Sequence, residues 1–462
     1  MSPHRVLDLP LYALLDRKEN ETDILFTVHV PLDETNVPYC TNCGSVNEFY
    51  GHGVRYKRFH DIPHLGKHVT LQVAMQRFRC RACGKPFTQE LPLLNHKHRM
   101  TNRLVAWISK QILKPRTFSD VAREVGINDK TVHNVFAAHV EWREGMREVM
   151  TPTMLGIDDV KLDGEMRTVL VNLGDHTVFE LLETDDSDFV QGWLLRMPDR
   201  EKVEVVAMDM SSGFRKAVLG ALPQATIVID RFHIVKRANE AMENVRKAIR
   251  ASLTNSRQRA ALVGDRKLLT MRRERLLREV DEMDRLRKVE TWFSRYPQLK
   301  DAYELKEAIM DIWDLTDRHE AEARWDELRA SIPKGLRQPF RIMTSPMQNW
   351  REFIFNFFDH RWTNGPTEAV NRTIKEMAAA GRNYSFKVIR AKALFTVAGK
   401  EVPPFGKRIP KAWLYHALPE EMGTEEMARQ LNVGMDAGPE LSTIEAMFRE
   451  MNRHGVSTTK SE

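Results

Sequence analysis

The period of apolar and polar positions changes several times along the chain, and each change marks a candidate domain boundary. Residues 1–37 hold no sustained period and read as a partly ordered lead-in. Between 38 and 95, short alternating runs such as HVTLQVAMQRFRC, rich in aromatics and bounded by Gly, predict strands. Residues 96–150 turn helical. TFSDVAREVG predicts a helix capped by Thr117 or Ser119 and ending at Val125, and a second helix starts at Asp129 with Val132, Val135 and Phe136 on one face. From 151 to 235 strands and helices alternate. TMLGIDDVKL, RTVLVNLGD and TVFELLET read as strands, SDFVQGWLLRMP as an amphipathic helix, VEVVAMDM as a buried strand, FRKAVLGALP as a helix and ATIVID as a further buried strand. Residues 236–350 are charged and almost wholly helical. Residues 351–400 carry an amphipathic helix starting near Pro366, then a Gly-Arg-rich turn, and 401–462 begin with Pro403, Pro404 and Pro410 and end in a polar tail.

Composition narrows the class. With 462 residues and 42% hydrophobic positions the chain can fill several cores. No run of about 18 apolar residues offers a membrane span, and the N-terminus has no long apolar core of a signal peptide, so the expectation is a cytoplasmic protein. A net charge of +6 and a pI of about 9.0 point moderately to a polyanionic partner. The arginines at 272, 273, 275, 278, 285 and 287 are nearly balanced by interleaved acids, and they read as a solvated, ion-paired helical surface.

Four cysteines form two CxxC pairs, Cys40–Cys43 in PYCTNCG and Cys80–Cys83 in FRCRACG. Each pair lets one tight turn present two thiolates, and two pairs complete a tetrahedral zinc site that is closed and hence structural. The strands between them complete the pattern of a zinc ribbon. His52, His60, His64 and His68 lie between the pairs and read as surface or DNA-facing residues. The helices on either side of Gly126, with Ala122 small at their crossing, match a DNA-binding helix-turn-helix, its exposed face bearing Lys130, His133 and Asn134.

Three strands, a helix, a strand, a helix and a strand make the order of an RNase H-like α/β fold. The chain is therefore expected to be multidomain: a zinc ribbon (38–95), a helix-turn-helix (96–150), an RNase H-like core in two parts (151–235 and 351–400) and a helical insertion (236–350). In that order the first and fourth strands are neighbours, which brings Asp158 close to Asp209. Acids at the ends of buried strands are costly unless paired or bound to metal, and this pair could share Mg²⁺, which prefers hard oxygen ligands. Glu368 stands in the first turn of the helix near Pro366, whose cap is Thr363 or Asn364. Asn371 and Lys375 follow on a similar face and are expected to meet DNA or phosphate.

The order of zinc ribbon, helix-turn-helix and IDD, MDMSSGFRKAV, PQATIVIDRFHIVKRAN, TNGPTEAVNRTIK and AAAGRNYSFKVIRAKAL resembles the insertion-sequence transposases of the ISL-three group over roughly residues 38–400. The resemblance implies a DDE triad of Asp158, Asp209 and Glu368. These would hold two Mg²⁺ (or Mn²⁺) ions that cut and rejoin DNA at transposon ends and target, in a self-associated complex. Asp230 and His233 match a D-x-x-H signature beside that site. Asp159 stands where the family is expected to carry Glu, so Asp158 and Asp159 compete as first ligand, and alternation with Ile157 favours Asp158. A nuclease that never joins strands, or a DNA-binding regulator with an inactive core, would share most of these features.

Overall fold

The computed structural model describes residues 9, 11–32, 38–46, 48–88, 91–276, 282–381, 384–397 and 400–401. The expected tail from 402 to 462 lies outside the described residues, as do Arg278 of the charged stretch and Arg382 of the Gly-Arg turn. The chain divides into two compact units, one of residues up to Glu148 together with those from Glu376 onward, the other Val149–Lys375.

The first unit is built on a seven-stranded sheet: β1 (Ala13–Glu19), β2 (Asp23–His29), β3 (Phe49–His64), β4 (Lys67–Cys80), β5 (Pro86–Thr88), β6 (Leu94–Asn95) and β7 (Met100–Thr101). The order is β1-β2-β4-β3-β7-β6, with β5 paired to β4. The expected lead-in therefore contributes two strands. DILFTVH alternates buried and half-buried positions, and Ile24, Phe26 and Val28 pack with Val69, Leu71 and Val73 of β4. Three helices follow: α1 (Asn102–Leu113), α2 (Phe118–Val125) and α3 (Asp129–Met146).

The second unit starts with β8 (Met154–Leu162), β9 (Glu165–Asn172) and β10 (Thr177–Leu182), an antiparallel meander. Then come α4 (Ser187–Leu195), β11 (Val205–Met208), α5 (Ser212–Ala221) and β12 (Thr226–Ile229). Sheet order is β10-β9-β8-β11-β12, with β11 parallel to both β8 and β12. All four residues of β11 are buried, as expected of a short apolar strand covered on both faces.

Helices fill the sequence after β12: α6 (Arg231–Ser252), α7 (Ser256–Gly264), α8 (Arg266–Thr270), α9 (Arg273–Leu276), α10 (Glu282–Arg295), α11 (Pro297–Ile312), α12 (Arg318–Ser331), α13 (Arg341–Thr344) and α14 (Pro346–His360). This stretch begins at Arg231 and ends at His360, wider than the 236–350 read from charge. It shares one apolar core with the sheet, in which Trp325 and Phe355 join Ile157 and Val228. From α14, Asn356 Nδ2 donates to Ile227 O of β12 at 2.8 Å. Within the charged stretch Arg272 pairs with Asp311 and Asp314, which lie outside the interleaved acids.

The final helices are α15 (Gly365–Ala380) and α16 (Phe386–Phe395), followed by the short pair β13 (Thr396–Val397) and β14 (Lys400–Glu401). Residues 351–400 thus split at Lys375, because the segment carrying α16 packs in the first unit. There Tyr384 Oη donates to Arg116 O (2.9 Å) and accepts from Phe118 N (3.1 Å). The buried Lys392 Nζ donates to Lys114 O (2.9 Å) and Arg116 O (3.1 Å).

The start of α15 lies against β8 at Gly156. A Cβ there would meet Thr367 Oγ1 at 2.4 Å, Leu173 Cδ2 at 2.8 Å and Asn364 Oδ1 at 3.0 Å. A glycine inside a strand here marks a close approach. Gly156→Ala should cost about 1–3 kcal/mol of stability by overpacking. Adding Thr367→Ala should recover part of it, since the nearest clash disappears. Denaturant unfolding of the two single variants and the double one tests this; strictly additive losses would show that the two residues do not collide.

Candidate functional site

The parallel register of β8 and β11 ends at Ile157 opposite Met208. The next residues, Asp158 and Asp209, therefore leave the ladder side by side. β8 itself runs on against β9 to Leu162, so Asp158 is mid-strand rather than at a strand end as read from the sequence. Asp209 follows β11 directly. It does not cap α5, because Ser211 Oγ takes the Phe214 N–H at 3.3 Å. Asp209 Oδ1 is buried with no hydrogen-bond partner.

Asp230 follows β12 and caps α6, accepting from Phe232 N at 3.3 Å through Oδ1. Its second oxygen, Oδ2, is buried and unpartnered. One turn on, His233 faces it. Glu368 sits in the first turn of α15, whose start is fixed by Glu368 N donating to Asn364 O at 3.1 Å. Ligand atoms of Asp230, His233 and Glu368 lie within 4.8 Å of one another. Glu368 is thus grouped most closely with the two residues expected only to flank the site.

Asn371, one turn beyond Glu368, is buried and donates Nδ2 to Asp158 Oδ2 at 2.8 Å and to Asp159 O at 3.3 Å. This corrects the expectation that it meets DNA: its amide is used to orient the Asp158 carboxylate. Lys375, a further turn along, is exposed, and its charge offsets part of the rise that burial and Asp185 impose on the Asp159 carboxyl. Sequence reading missed Gly156, Thr367 and the role of Asn371, and it gave Asn364 only as a helix cap, without its bond to β8. A lone Gly two residues before the acids was the available signal.

Electrostatics unite these groups. Burial pushes the Asp158 carboxyl up to about 7, with Asp209, Asp159 and Glu368 adding repulsion. Burial also raises Asp209, where Asp159 and Asp230 add to it while His233 and Arg237 oppose it. Glu368 is raised by burial and by Asp230, against His233, Lys236 and Arg372. Asp159 is raised by burial and Asp185. Clustered, half-buried carboxylates with orphaned oxygens suit a hard divalent cation.

The four cysteines converge in the first unit. Sγ–Sγ distances are 3.6 Å for Cys40–Cys83 and 3.7 Å for Cys43–Cys80. Bonds of about 2.3 Å to a tetrahedral zinc put sulfurs roughly 3.8 Å apart, whereas a disulfide needs about 2.05 Å. The N–H groups of Asn42 and Cys43 hold the Cys40 thiol down to about 6, favouring the thiolate. Phe49, Phe78 and Phe87 pack beside the knuckles.

In the helix pair, Thr117 caps α2 by accepting from Asp120 N, and Gly126 takes φ 76° at the turn. Asn128 caps α3. Val132, Val135 and Phe136 are buried, and Lys130, His133 and Asn134 are exposed. The His133 ring also packs on Phe118 at 4.1 Å.

Three family models match the chain. One described as a transposase covers residues 155–393. One described as the helix-turn-helix domain of transposase family ISL3 covers 89–140. One described as the zinc-finger of transposase IS204/IS1001/IS1096/IS1165 covers 36–83. The chain is also similar to the transposase for insertion sequence element IS1001 of Bordetella parapertussis, 24% identical over 381 residues, spanning 80% of this chain and 91% of that protein.

Two measurements address the ligands without reference to activity. Metal analysis of purified protein should find zinc, and Cys80→Ser should release it; undiminished zinc would exclude the four-thiolate site. For Asp158, a raised folded-state pKa means that the protonated form favours folding. Its contribution is full below about pH 4 and is lost as pH rises through about 7. Metal-free protein should therefore melt lower near pH 8 than near pH 5. Added Mg²⁺ or Mn²⁺ should raise the melting point near pH 8, and Asp158→Asn should weaken both effects. A melting point of Asp158→Asn that tracks wild type under every condition would contradict this.

Proposed function

The chain belongs to the transposase family ISL3, and on that premise we propose how its residues carry the reaction. The second unit is an RNase H-like core, a reading supported by the order of three antiparallel strands followed by two parallel ones. Asp158, Asp209 and Glu368 are its DDE triad and would hold two Mg²⁺ or Mn²⁺ ions. When bound, such ions supply Lewis acidity at the scissile phosphate and a more acidic water. The observation that carries this reading is the β8–β11 register, which sets Asp209 beside Asp158, together with the Asn371–Asp158 hydrogen bond one turn from Glu368.

The protein's own groups have distinct tasks in this proposal. Three carboxylates neutralise most of the charge that two divalent ions bring while leaving positions open for substrate. Asn371 fixes which oxygen of Asp158 faces the site. Asp230 and His233 stand next to Glu368 and set its local charge. Lys375, exposed beyond Asp159, is placed to meet a DNA phosphate. No side chain forms a covalent intermediate: water displaces the 3′ oxygen at the transposon end, and the freed 3′-hydroxyl can then attack target DNA.

End recognition is assigned to the first unit. Lys130 at the start of α3 would contact backbone, while Asn134, a residue type suited to adenine edges, would read sequence. The four-thiolate zinc keeps the adjoining turns in place. Joining two ends calls for at least two chains in the active complex. The DNA substrate places this work in the bacterial cytoplasm, and among the described residues no helix is long and apolar enough to cross a membrane.

Glu368→Gln keeps side-chain size and removes charge. It should bind end DNA as wild type does and cut it at least about a hundredfold more slowly, a loss of roughly 3 kcal/mol. Asp158→Asn and Asp209→Asn should behave alike, with the double variant little worse, since such groups act as a unit. Asp159→Asn should be much milder. Wild-type cutting by Glu368→Gln, or an active Asp158→Asn beside a dead Asp159→Asn, would refute the assignment.

A further inference from the structure

Positive charge is concentrated in one part of the first unit. Residues 49–103 hold eleven Lys and Arg against two Asp and Glu, whereas the whole chain holds 70 against 64. One of those two acids, Asp61, is 1% exposed and turned inward. It accepts from Thr101 Oγ1 (2.6 Å) and Arg103 Nε (2.8 Å), so its charge is spent on Arg103 and does not offset the surface.

Three of these cations, Arg55, Lys57 and Arg58, stand together on β3. Residues Tyr50 to Arg58 are all exposed. On one side they pair with β4, but among the described residues the other side meets β7 only at His60 opposite Met100, so this stretch is an open edge. Arg55, Lys57 and Arg58 from β3 and Arg99 from the turn before β7 line a concavity of about 590 Å³ with Gln72 and His96, and among the described residues no carboxylate lines it. Gln72 is engaged, accepting from Arg58 Nε at 3.3 Å. Tyr56 stands among these cations at 57% exposure. A protective charge on an edge strand needs only a Lys or two. Four cations converging from two elements go beyond that.

We propose that this edge is a second DNA-binding surface, separate from α3, that holds the phosphate backbone of duplex DNA without reading its sequence. The inference rests on the reading of the chain as acting on DNA and adds the surface that supplies sequence-independent affinity. Guanidinium and ammonium groups in a carboxylate-free cavity match phosphate oxygens, and their energy comes from releasing counterions.

The test uses the full chain with Arg55, Lys57, Arg58 and Arg99 all changed to Ala, and a second variant with Arg55, Arg58 and Arg99 changed to Lys. All four residues are exposed, and zinc content and melting temperature report on folding. Affinity for a duplex carrying the element's end and for a scrambled duplex is measured across salt. The plot of log affinity against log salt should become shallower by about 0.9 for each phosphate that the Ala variant no longer neutralises. Both duplexes should show the same change, and the Lys variant should keep the wild-type slope. An unchanged slope in the Ala variant overturns the proposal, as does a weakening confined to the end duplex, which would mean base reading. Wild-type protein that fails to prefer the end duplex would instead refute end recognition, and the slopes would still decide the role of this edge.

Discussion

Like charges repel most where water screens them least, and the second unit is organised around that constraint. β8, β11, β12 and α15 deliver Asp158, Asp209, Asp230 and Glu368 to one region in which burial raises the carboxyls of Asp158, Asp209 and Glu368. The chain softens this only in part. Asn371 donates to one oxygen of Asp158, and His233 and Arg237 offset Asp209, but Asp209 Oδ1 and Asp230 Oδ2 keep no partner. A fold that spends stability in this way gains a site with open, hard oxygen ligands. The surrounding apolar core, continuous from the sheet to Trp325 and Phe355, supplies the rigidity that holds the acids together against their repulsion.

Backbone geometry explains why these acids meet. Strand register is all-or-none for side-chain direction, since a slip by one residue turns every side chain to the other face. Pairing Ile157 with Met208 therefore fixes both aspartates at once. The helix bearing Glu368 is held more locally. Gly156 admits Thr367 and Asn364 against β8, and Asn364 Nδ2 reaches Ile157 O at 3.4 Å, one residue before Asp158. Position in the strand and position in the helix are thus coupled through atoms adjacent to the chemistry.

Much of this was legible where the signal is local. CxxC spacing, the Thr117 cap, Gly126 and the largely apolar strands before Asp209 and Asp230 each act over a few residues, and the structure places them as read. Other features depend on partners far along the chain. Asn371 bonds Asp158 across 213 residues, so no spacing rule could reveal that its amide is already used. The same holds for Tyr384 and Lys392, whose bonds to the α1–α2 connection span 268 and 278 residues and draw α16 into the first unit. Of the strands at 13–29, β1 is mostly exposed, so its sequence carries no alternation to read, whereas β2 carries a short alternation that the reading passed over.

The first unit faces the reverse electrostatic problem, and under the proposed function this bears on how one chain would handle both transposon ends and target DNA. Transposon ends have a fixed sequence and target sites need not, so a single reading helix cannot serve both. α3 offers few cations, with Lys130 near its start and the polar His133 and Asn134 behind it, a composition suited to discrimination more than to strength. β3 and its neighbours offer the opposite, a dense set of Lys and Arg with almost no carboxylates. On the proposed assignment, separating strength from selectivity in this way would let the affinity of the unit be tuned by salt and charge without altering which sequence it prefers. A helix carrying both tasks would lose that independence, because cations added along its face would displace the groups that read base edges.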